Sequence, residues 1–518
     1  MSAPVIGIDL GTTNARVAVV LDDGTVEVIA DAFGRRSTPA MVGVAEDGEV
    51  LVGHDAASMV ETGEAAYSIR RLIGRKWNSP PVAAALETGN YRLVEGPHHD
   101  ARAELGGRAF SLPELSAYVL RHLKVTAERR LGCAVERCVV TVPACFGHSQ
   151  RRATKDAARI AGFDDVRLVN EPTAAALDYA RGRPDRRRIV VFRLGGGSFD
   201  ASLVSAGEGR VEVLGTAGDT YLGGDDYGMR IIEWMVFGYL REQQIDLRHD
   251  RAALGHLVVE AERAKRMLSV EPRTEVRLTS GRGGSCVPRV LTEEKLERLV
   301  VDLTERLFQI TEKVLREAGN GSETIDEVLL VGDATRLPQV KRMARAFFDR
   351  TPTYADSEAS VRGAAVLAAA GEAPVVSDVT AQNIGAIEVV TFSQRYMPDG
   401  EGYRVLLRKG SPVPATVVSR FDKPSPALTS LRVMVQQGDT ETFWNNELLS
   451  ELVIHGIGPC PVGEDCVDLT IELGEDGTIQ YLPKDPKTGA PLTFDVTACS
   501  DLTEEEVLQS RARVIGTA

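Results

Sequence analysis

Several common sequence signals are absent from this chain of 518 residues. It contains neither GxxxxGKS nor GxxxxGKT, which argues against a P-loop NTPase. It has no apolar run of ~18 residues that would span a membrane. An apolar strand pattern begins by Val5, so we expect no signal peptide. Basic charge is in deficit, and the net charge of -14 predicts no binding to nucleic acid or to an anionic membrane.

Cysteine is sparse and scattered. The seven cysteines form no CxxC motif and no group with nearby histidines. We therefore expect free thiols in a reducing compartment rather than a disulfide framework. Cys460 and Cys466 are close enough in sequence to pair, but no other feature supports a metal or redox role for them. Together with the missing membrane and secretion signals, this predicts a cytoplasmic protein.

The chain is long and apolar enough, at 43% hydrophobic residues, for several globular domains. Residues 1–370 alternate helical patterns, such as 114–130 and 149–162, with apolar β runs, which predicts an α/β region. This region ends in a helix of small residues over 360–370. Residues 371–380, which include Pro374, predict a linker.

Alternating apolar residues and turn signals over 381–500 predict an all-β domain. Examples are the strand patterns around Val433 and Ile471. Residues 501–518 are expected to form one short helix, because Thr503 and Glu506 make a capping box.

A phosphate-loop pattern occurs twice. Residues 6–14 and 190–200 each read as an apolar strand, a turn of glycines and hydroxyl residues, and a returning strand. Such a β-hairpin presents bare N–H groups that cup phosphate oxygens, so two copies predict a nucleotide clamped between duplicated lobes. When the copies are superposed, Asp9 falls on Arg193. Asp9 is expected to orient the water shell of Mg²⁺.

Two further segments are candidates for nucleotide contacts. Glu262, Lys265, Arg266 and Ser269 have spacings that place them on one helix face. They are either a solvated, salt-bridged stripe or the residues that hold ribose and adenine. Residues 328–338 predict a buried strand, a glycine turn and a helix opened by Pro338. In this turn Gly332 would let the backbone approach the nucleotide.

The ordered set of motifs over 1–370 resembles the heat shock protein 70 family of DnaK-type chaperones. The supporting segments are 69–75, 140–144, 149–157, 170–176 and 218–224. A weaker similarity continues through 421–424, 435–439, 445–449 and 456–459, with an altered stretch at Phe392–Gly402. The resemblance implies an actin-like, ribonuclease H-like duplicated ATPase domain followed by a β-sandwich that binds extended apolar polypeptide. We expect this chain to lack the family's carboxyl-terminal helical lid.

The resemblance also implies roles for individual residues. Catalytic positions correspond to Asp9, Arg70, Glu171, Arg193, Ser198 and Asp200, with Asp9 and Glu171 holding metal through water. Contacts to ATP or ADP correspond to Gly11, Thr12, Thr13, Gly195, Gly196, Gly197, Gly223, Gly224, Glu262, Lys265, Arg266, Ser269, Gly332, Asp333 and Arg336. Pro143 and Arg151 match an interdomain switch, and Arg167 matches a J-domain co-chaperone position. Tyr403, Val418 and Leu428 are candidates for peptide contacts. The implied cofactors are Mg²⁺ and, less directly, K⁺, and a nucleotide exchange factor is an implied partner.

The sequence departs from the family pattern where hydrolysis would occur. Arg193 stands at an aspartate position that helps to order metal and water, and Arg70 replaces a catalytic lysine. Asp333 replaces a glycine and brings a carboxylate toward the phosphates. The linker lacks the leucine run that docks as a strand in the family, so coupling between the domains is an open question.

Three functions are consistent with this pattern. The first is an ATP-dependent chaperone with slow hydrolysis. The second is a non-hydrolysing, ATP-sensing pseudo-chaperone. The third, a sugar kinase of the same superfold, is disfavoured by the chaperone-type segments and the β domain.

Overall fold

A computed structural model describes residues 4–89, 91–244, 246–247, 250–278, 288–319, 325–371, 373, 375–388, 403–422, 426–440, 446–461, 463–498 and 502–516. The altered stretch Phe392–Gly402 and Pro374 of the predicted linker lie outside these residues. The chain divides into two compact units. The first comprises Met1–Cys145, Ala153–Val376 and Leu502–Ala518, and the second comprises Phe146–Arg152 and Ser377–Asp501.

The strands of the first unit are numbered in chain order. They are β1 Val5–Leu10, β2 Asn14–Val20, β3 Val26–Val28, β4 Thr38–Pro39, β5 Val42–Val44, β6 Val50–Val52, β7 Ala65–Ala66, β8 Arg92–Glu95, β9 Ala101–Leu105, β10 Arg108–Ser111, β11 Arg137–Val142, β12 Asp165–Asn170, β13 Arg187–Leu194, β14 Phe199–Gly207, β15 Arg210–Asp219, β16 Arg273–Val276, β17 Arg289–Thr292, β18 Glu327–Val331 and β19 Thr353–Tyr354.

The helices are numbered in the same way. They are α1 His54–Ala57, α2 Pro80–Thr88, α3 Leu112–Leu131, α4 His148–Ile160, α5 Glu171–Ala180, α6 Gly224–Gln243, α7 Arg251–Leu268, α8 Glu293–Leu299, α9 Val301–Glu317, α10 Pro338–Phe348, α11 Ala359–Ala370 and α12 Glu504–Gly516, with short 3₁₀ turns at Ile69–Arg71 and Asp333–Arg336. The helices predicted over 114–130, 149–162 and 360–370 are confirmed as α3, α4 and α11.

The predicted duplication is visible in two sheets of the first unit. In one, the antiparallel hairpin β1–β2 lies beside β11, which runs parallel to β1, in the order β12-β11-β1-β2-β3. In the other, the hairpin β13–β14 lies beside β18, which runs parallel to β13. Asp9 and Arg193 each occupy the second-last position of the first hairpin strand. The structure therefore confirms that these two residues are equivalent.

Small residues let α11 pack closely against two neighbours. A Cβ atom at Gly363 would lie 1.7 Å from the carbonyl oxygen of Ala174 in α5, and one at Gly7 of β1 would lie 2.2 Å from the backbone nitrogen of Ala365. Both distances are far below van der Waals contact, so only glycine permits this approach. The small-residue composition of α11 makes this close packing possible.

The division between the units falls inside the predicted linker, after Val376. The backbone N–H of Val211 in β15 donates to the carbonyl of Val375 at 2.9 Å. This segment of the linker therefore has a backbone partner in the first unit although it lacks leucines.

Two packed β-sheets form the core of the second unit. Its strands are β20 Val376–Val379, β21 Asn383–Glu388, β22 Arg404–Leu407, β23 Pro412–Val413, β24 Ala415–Phe421, β25 Ser430–Gly438, β26 Glu447–His455, β27 Val467–Leu473, β28 Ile479–Lys484 and β29 Phe494–Ala498. One sheet has the order β22-β21-β25-β26-β29 and the other β24-β27-β28. Alternate residues of both, including Val433, Val435 and Ile471, form one buried core, as the period-two pattern predicted.

The carboxyl-terminal helix α12 belongs to the first unit. Thr503 and Glu506 form the predicted capping box, with the side chain of each residue accepting from the other's backbone N–H. Arg513 binds the buried carboxylate of Glu114 in α3 through Nη2 at 3.0 Å and Nε at 3.1 Å. Val507 and Val514 are buried on the same helix. The last helix is thus an integral part of the first unit.

Replacing Val507 with aspartate is expected to lower the free energy of unfolding of this unit by about 3 kcal/mol, because it removes a buried side chain and buries a charge. The adjacent Leu508 is 57% exposed. Leu508→Asp is the matched control, and we expect it to change stability by less than about 0.5 kcal/mol. Urea unfolding measures both. Equal effects would contradict the packing assigned to α12.

A search of the described residues for membrane-spanning segments finds no helix of sufficient length and hydrophobicity.

Candidate nucleotide-binding site

A cleft of about 500 Å³ opens in the first unit. Most of the predicted nucleotide-site residues line it: Asp9, Gly11, Thr12, Thr13, Arg193, Gly195, Gly196, Ser198, Gly224, Glu262, Lys265, Arg266, Ser269, Gly332, Asp333 and Arg336. The other predicted residues are not part of the lining. Gly197 and Gly223 adjoin lining residues in sequence, Glu171 and Asp200 lie beside Arg193, and Arg70 pairs with Glu171. Tertiary structure thus brings together segments that are more than 300 positions apart in the sequence.

The turns of the two hairpins face each other across the cleft. A Cβ atom at Gly196 would lie 2.1 Å from Oγ1 of Thr13, and one at Gly197 would lie 2.7 Å from Oγ1 of Thr12. Because a side chain at either glycine would collide with the opposite turn, the close approach depends on bare backbone. Two facing turns of this kind provide N–H and hydroxyl donors suited to phosphate oxygens.

The start of α6 supports the second turn. The backbone N–H groups of Gly224 and Asp225 donate to the carbonyls of Gly195 and Gly196 at 2.9 and 2.7 Å. A Cβ atom at Gly223 would lie 2.4 Å from the Gly196 oxygen. The two predicted glycines of this segment therefore hold the turn in place through backbone contacts.

The end of α7 forms one wall of the cleft. Lys265 is almost fully buried, and its Nζ lies 2.7 Å from Oε2 of Glu262 and donates to the Gly224 carbonyl at 2.6 Å. Arg266 binds the same carboxylate at 2.9 Å. Burial raises the pKa of Glu262, but Lys265 and Arg266 outweigh it and lower the pKa below its ordinary value. The cluster is therefore salt-bridged, and its residues also line the cleft.

Gly332, Asp333 and Arg336 form another part of the lining. Gly332 has a φ of +92°, and a Cβ atom there would lie 2.3 Å from the Leu194 carbonyl oxygen. The Asp333 side chain is 65% exposed and lies 4.0 Å from Nε of Arg336. Water and a neighbouring cation therefore screen this carboxylate. The carboxylate at this position therefore repels phosphate less than the replacement of glycine by aspartate suggests.

Beside the phosphate turns, the carboxylate of Glu171 lies between two guanidinium groups. Its Oε1 pairs with Nη2 of Arg70 and its Oε2 with Nη1 of Arg193. All three side chains are buried. The Arg193 guanidinium also lies against the second turn, because a Cβ atom at Gly195 would be 2.9 Å from its Nη1.

Further carboxylates surround this arrangement. Oδ1 of Asp9 accepts from Thr141 at 2.7 Å, and Oδ1 of Asp200 accepts from the Cys145 N–H at 3.3 Å. Burial and the charge of Glu171 raise the pKa of Asp200 to about 6 although Arg193 opposes them. Burial lowers the pKa of Arg193, but Glu171, Asp9 and Asp200 outweigh it and raise the pKa above its ordinary value. Arg193 is therefore a permanent cation here.

The groups of this site suit a nucleotide polyphosphate, which needs hydrogen-bond donors, better than a metal ion, which needs available carboxylates. The two glycine turns form a cradle that a Cβ atom would fill, and Arg193 adds a positive charge. Mg²⁺ binds in proteins through carboxylates and retained waters. Glu171 is already paired with two arginines, whose two positive charges exceed its single negative charge. A unit cation within 4 Å of another costs about 4 kcal/mol at an effective dielectric constant of 20.

The remaining predicted residues lie apart from the cleft. Arg151 groups with the second unit, where its Nη1 donates to the Asp476 carbonyl at 3.1 Å, whereas Pro143 follows β11 in the first unit. Arg167 on β12 donates to the carbonyl of Gly371 at 2.6 Å. The switch and co-chaperone roles of these residues remain predictions.

The three candidate peptide contacts are spread over the second unit. Tyr403 precedes β22, and its hydroxyl accepts from Nδ2 of Asn446 at 3.1 Å. Leu428 is half-buried just before β25 of the same sheet. Val418 lies on β24 of the other sheet and is 53% exposed. Their role in binding peptide also remains a prediction.

Sequence reasoning missed several residues of the cleft. Asp225 lines it, accepts from Oγ of Ser68 at 2.6 Å, and has a pKa that burial raises. Asn14, Arg16 and Ser37 also line it. Asp225 directly follows the Gly223–Gly224 pair, and this adjacency was the available signal. No such sequence signal marks Ser37, because only folding brings its loop to the cleft.

The geometry defines a protein with a duplicated hairpin cleft for a phosphorylated ligand and a separate β unit. The family model described as Hsp70 protein matches residues 5–513. The chain belongs to the Hsp70 protein family, which confirms the resemblance found in the sequence. Family membership supports ATP binding and a chaperone role in general, and it implies an actin-like ATPase fold followed by a β-sandwich.

Proposed function

We propose that this protein binds ATP in the cleft of its first unit and extended apolar polypeptide in its β unit, and that it hydrolyses ATP slowly. The observation that carries ATP binding is the pair of facing glycine turns, joined by the α7 cluster in one cleft of about 500 Å³. That volume suits a small-molecule ligand. Glu262 and Lys265 supply donors and acceptors for ribose hydroxyls, and Arg266 offers a plane for adenine.

Slow hydrolysis is supported by the pairing of Glu171. A carboxylate that positions attacking water must have a free oxygen within hydrogen-bond reach of that water. In this chain both oxygens of Glu171 face guanidinium groups. Moving either arginine would break a buried ion pair, which is costly because it leaves an uncompensated charge.

The same observation favours a second candidate, a nucleotide sensor that does not hydrolyse ATP. In that case the bound nucleotide controls only how the β unit meets a dedicated partner. The two candidates share the ATP site and differ in turnover. Polypeptide and J-domain protein are expected to accelerate hydrolysis only in the chaperone.

The test combines calorimetric titration of ATP with single-turnover hydrolysis of the native chain. Turnover is measured alone and with an extended apolar peptide and a J-domain protein. A rise in turnover with either addition supports the chaperone, and no rise with ATP binding intact supports the sensor.

Gly196→Val is the control for the assigned cleft, because the valine side chain collides with Thr13. It is expected to weaken ATP binding by at least about tenfold, or ~1.4 kcal/mol. Native-like affinity in this variant would place ATP elsewhere.

A further inference from the structure

A side chain of the protein, Arg193, supplies a positive charge beside the phosphate turns. Arg193 is 7% exposed, lines the cleft and contacts the Gly195 position of the second turn. Its guanidinium pairs with Glu171 on one side. Although Nη1 forms this ion pair, neither it nor the buried Nε has a hydrogen-bond partner within the described residues. A buried cation that is only partly satisfied is a binding group for an anion.

The carboxylates near the cleft already face other charged or polar groups, although Oε2 of Glu171 and Oδ2 of Asp200 have no hydrogen-bond partner among the described residues. Both oxygens of Glu171 face arginines, and Asp9 accepts from Thr141. Asp200 lies beside Arg193 in the register of the hairpin. Across the parts of the chain that the structure describes, no group of three or more histidine, cysteine, aspartate or glutamate side chains could hold a metal ion.

Charge counting leads to the same result. In the group formed by Arg193, Glu171 and the charged side chains beside them, Asp9, Glu171 and Asp200 carry at most three negative charges, and Arg70 and Arg193 carry two positive ones. The remaining net charge of at most minus one is a weak attraction for a divalent cation, whereas a fixed guanidinium beside the phosphates supplies the neutralisation that a metal otherwise provides.

We propose that the Arg193 guanidinium takes the place of the metal cation in this site, so that ATP binds with an affinity that does not depend on Mg²⁺. This inference rests on the proposed ATP binding and adds its ionic requirement. The guanidinium is tethered by its strand β13 and by the ion pair to Glu171, so it is in place before the nucleotide arrives. It neutralises phosphate charge but carries no coordinated water to deliver.

The experiment measures the dissociation constant of ATP by calorimetry in excess MgCl₂ and in excess EDTA. For the native chain we expect the two constants to agree within about threefold, less than 1 kcal/mol. For Arg193→Asp we expect EDTA to weaken ATP binding by at least about tenfold. The added carboxylate repels the phosphates unless a metal ion lies between them. Arg193→Lys keeps the charge and is expected to resemble the native chain.

Arg186→Asp is the charge-matched control. Arg186 lies in the exposed loop before β13, where it pairs with Glu212 at 3.2 Å. This variant is expected to keep the native indifference to EDTA. If Arg193→Asp does not fold, the native and Arg193→Lys titrations, repeated as ATP-induced shifts in melting temperature, decide the question on their own.

The outcomes separate this inference from the proposed function. Equal native affinity in both buffers supports it. Native binding in MgCl₂ that is lost in EDTA overturns it while ATP binding stands. Absence of binding in both buffers overturns the inference and the proposed function together. Metal dependence appearing in Arg186→Asp as strongly as in Arg193→Asp would show that net charge, and not the position of Arg193, controls the response.

Discussion

Arg193→Asp is expected to raise the single-turnover rate of ATP hydrolysis in Mg²⁺ by about 100-fold, the usual scale for a positioned general base. The substitution removes the ion pair that occupies Oε2 of Glu171. It also places a carboxylate where metal and attacking water would be ordered. Quench-flow or manual quenching with labelled ATP measures the rate at saturating protein.

Arg193→Lys controls for this result, because it keeps a cation beside Glu171 and is expected to leave hydrolysis slow. Ordinary hydrolysis in the native chain that is lost in Arg193→Asp would contradict the prediction. That outcome would mean that the site uses arginine for catalysis. An unchanged rate with unchanged binding would show that Glu171 is not the limiting group.

Gly363→Ala is expected to destabilise the first unit by about 3 kcal/mol, at the upper end for an overpacked position. The added methyl would lie 1.7 Å from the Ala174 carbonyl oxygen, so α11 must move away from α5. A backbone oxygen inside a helix cannot shift as a flexible side chain can. Unfolding of the whole chain by urea or heat, monitored through a signal that reports on this unit alone, measures the change in its free energy of unfolding.

Gly228→Ala is the matched control because Gly228 is also a helical glycine, within α6. There an added Cβ atom meets Lys265 only at an ordinary contact distance of 3.7 Å. Alanine is favoured over glycine in a helix, so the control is expected to stabilise the unit by up to about 1 kcal/mol. Similar losses in both variants would argue that close packing of α11 is not the cause.

The repeated hairpin was predictable because its signal is local. A strand, a glycine turn and a returning strand are each encoded by adjacent residues, and two copies can be compared directly. The equivalence of Asp9 and Arg193 followed from that comparison. The helix α7 and the turn before α10 were predictable for the same reason, from periodicity and from Gly332 and Pro338.

The pairing of Arg193 with Glu171 was not predictable from spacing, because the two residues lie on different elements. Sequence reasoning placed Arg193 beside phosphate and Glu171 beside water. It did not show that the two side chains form an ion pair with each other. The position of α12 was similarly hidden. Its capping box predicted a helix, whereas its return to the first unit depends on long-range contacts such as that of Arg513 with Glu114.

The sequence by itself determined the class of protein, the duplicated phosphate turns and most residues of the cleft, because these depend on local patterns of glycine, charge and hydrophobic period. Tertiary structure alone decided which charges meet. Ion pairs form between groups brought together by packing, and their effect depends on burial, which no local pattern specifies. The buried arrangement of Arg70, Glu171 and Arg193 is therefore a property of the folded chain.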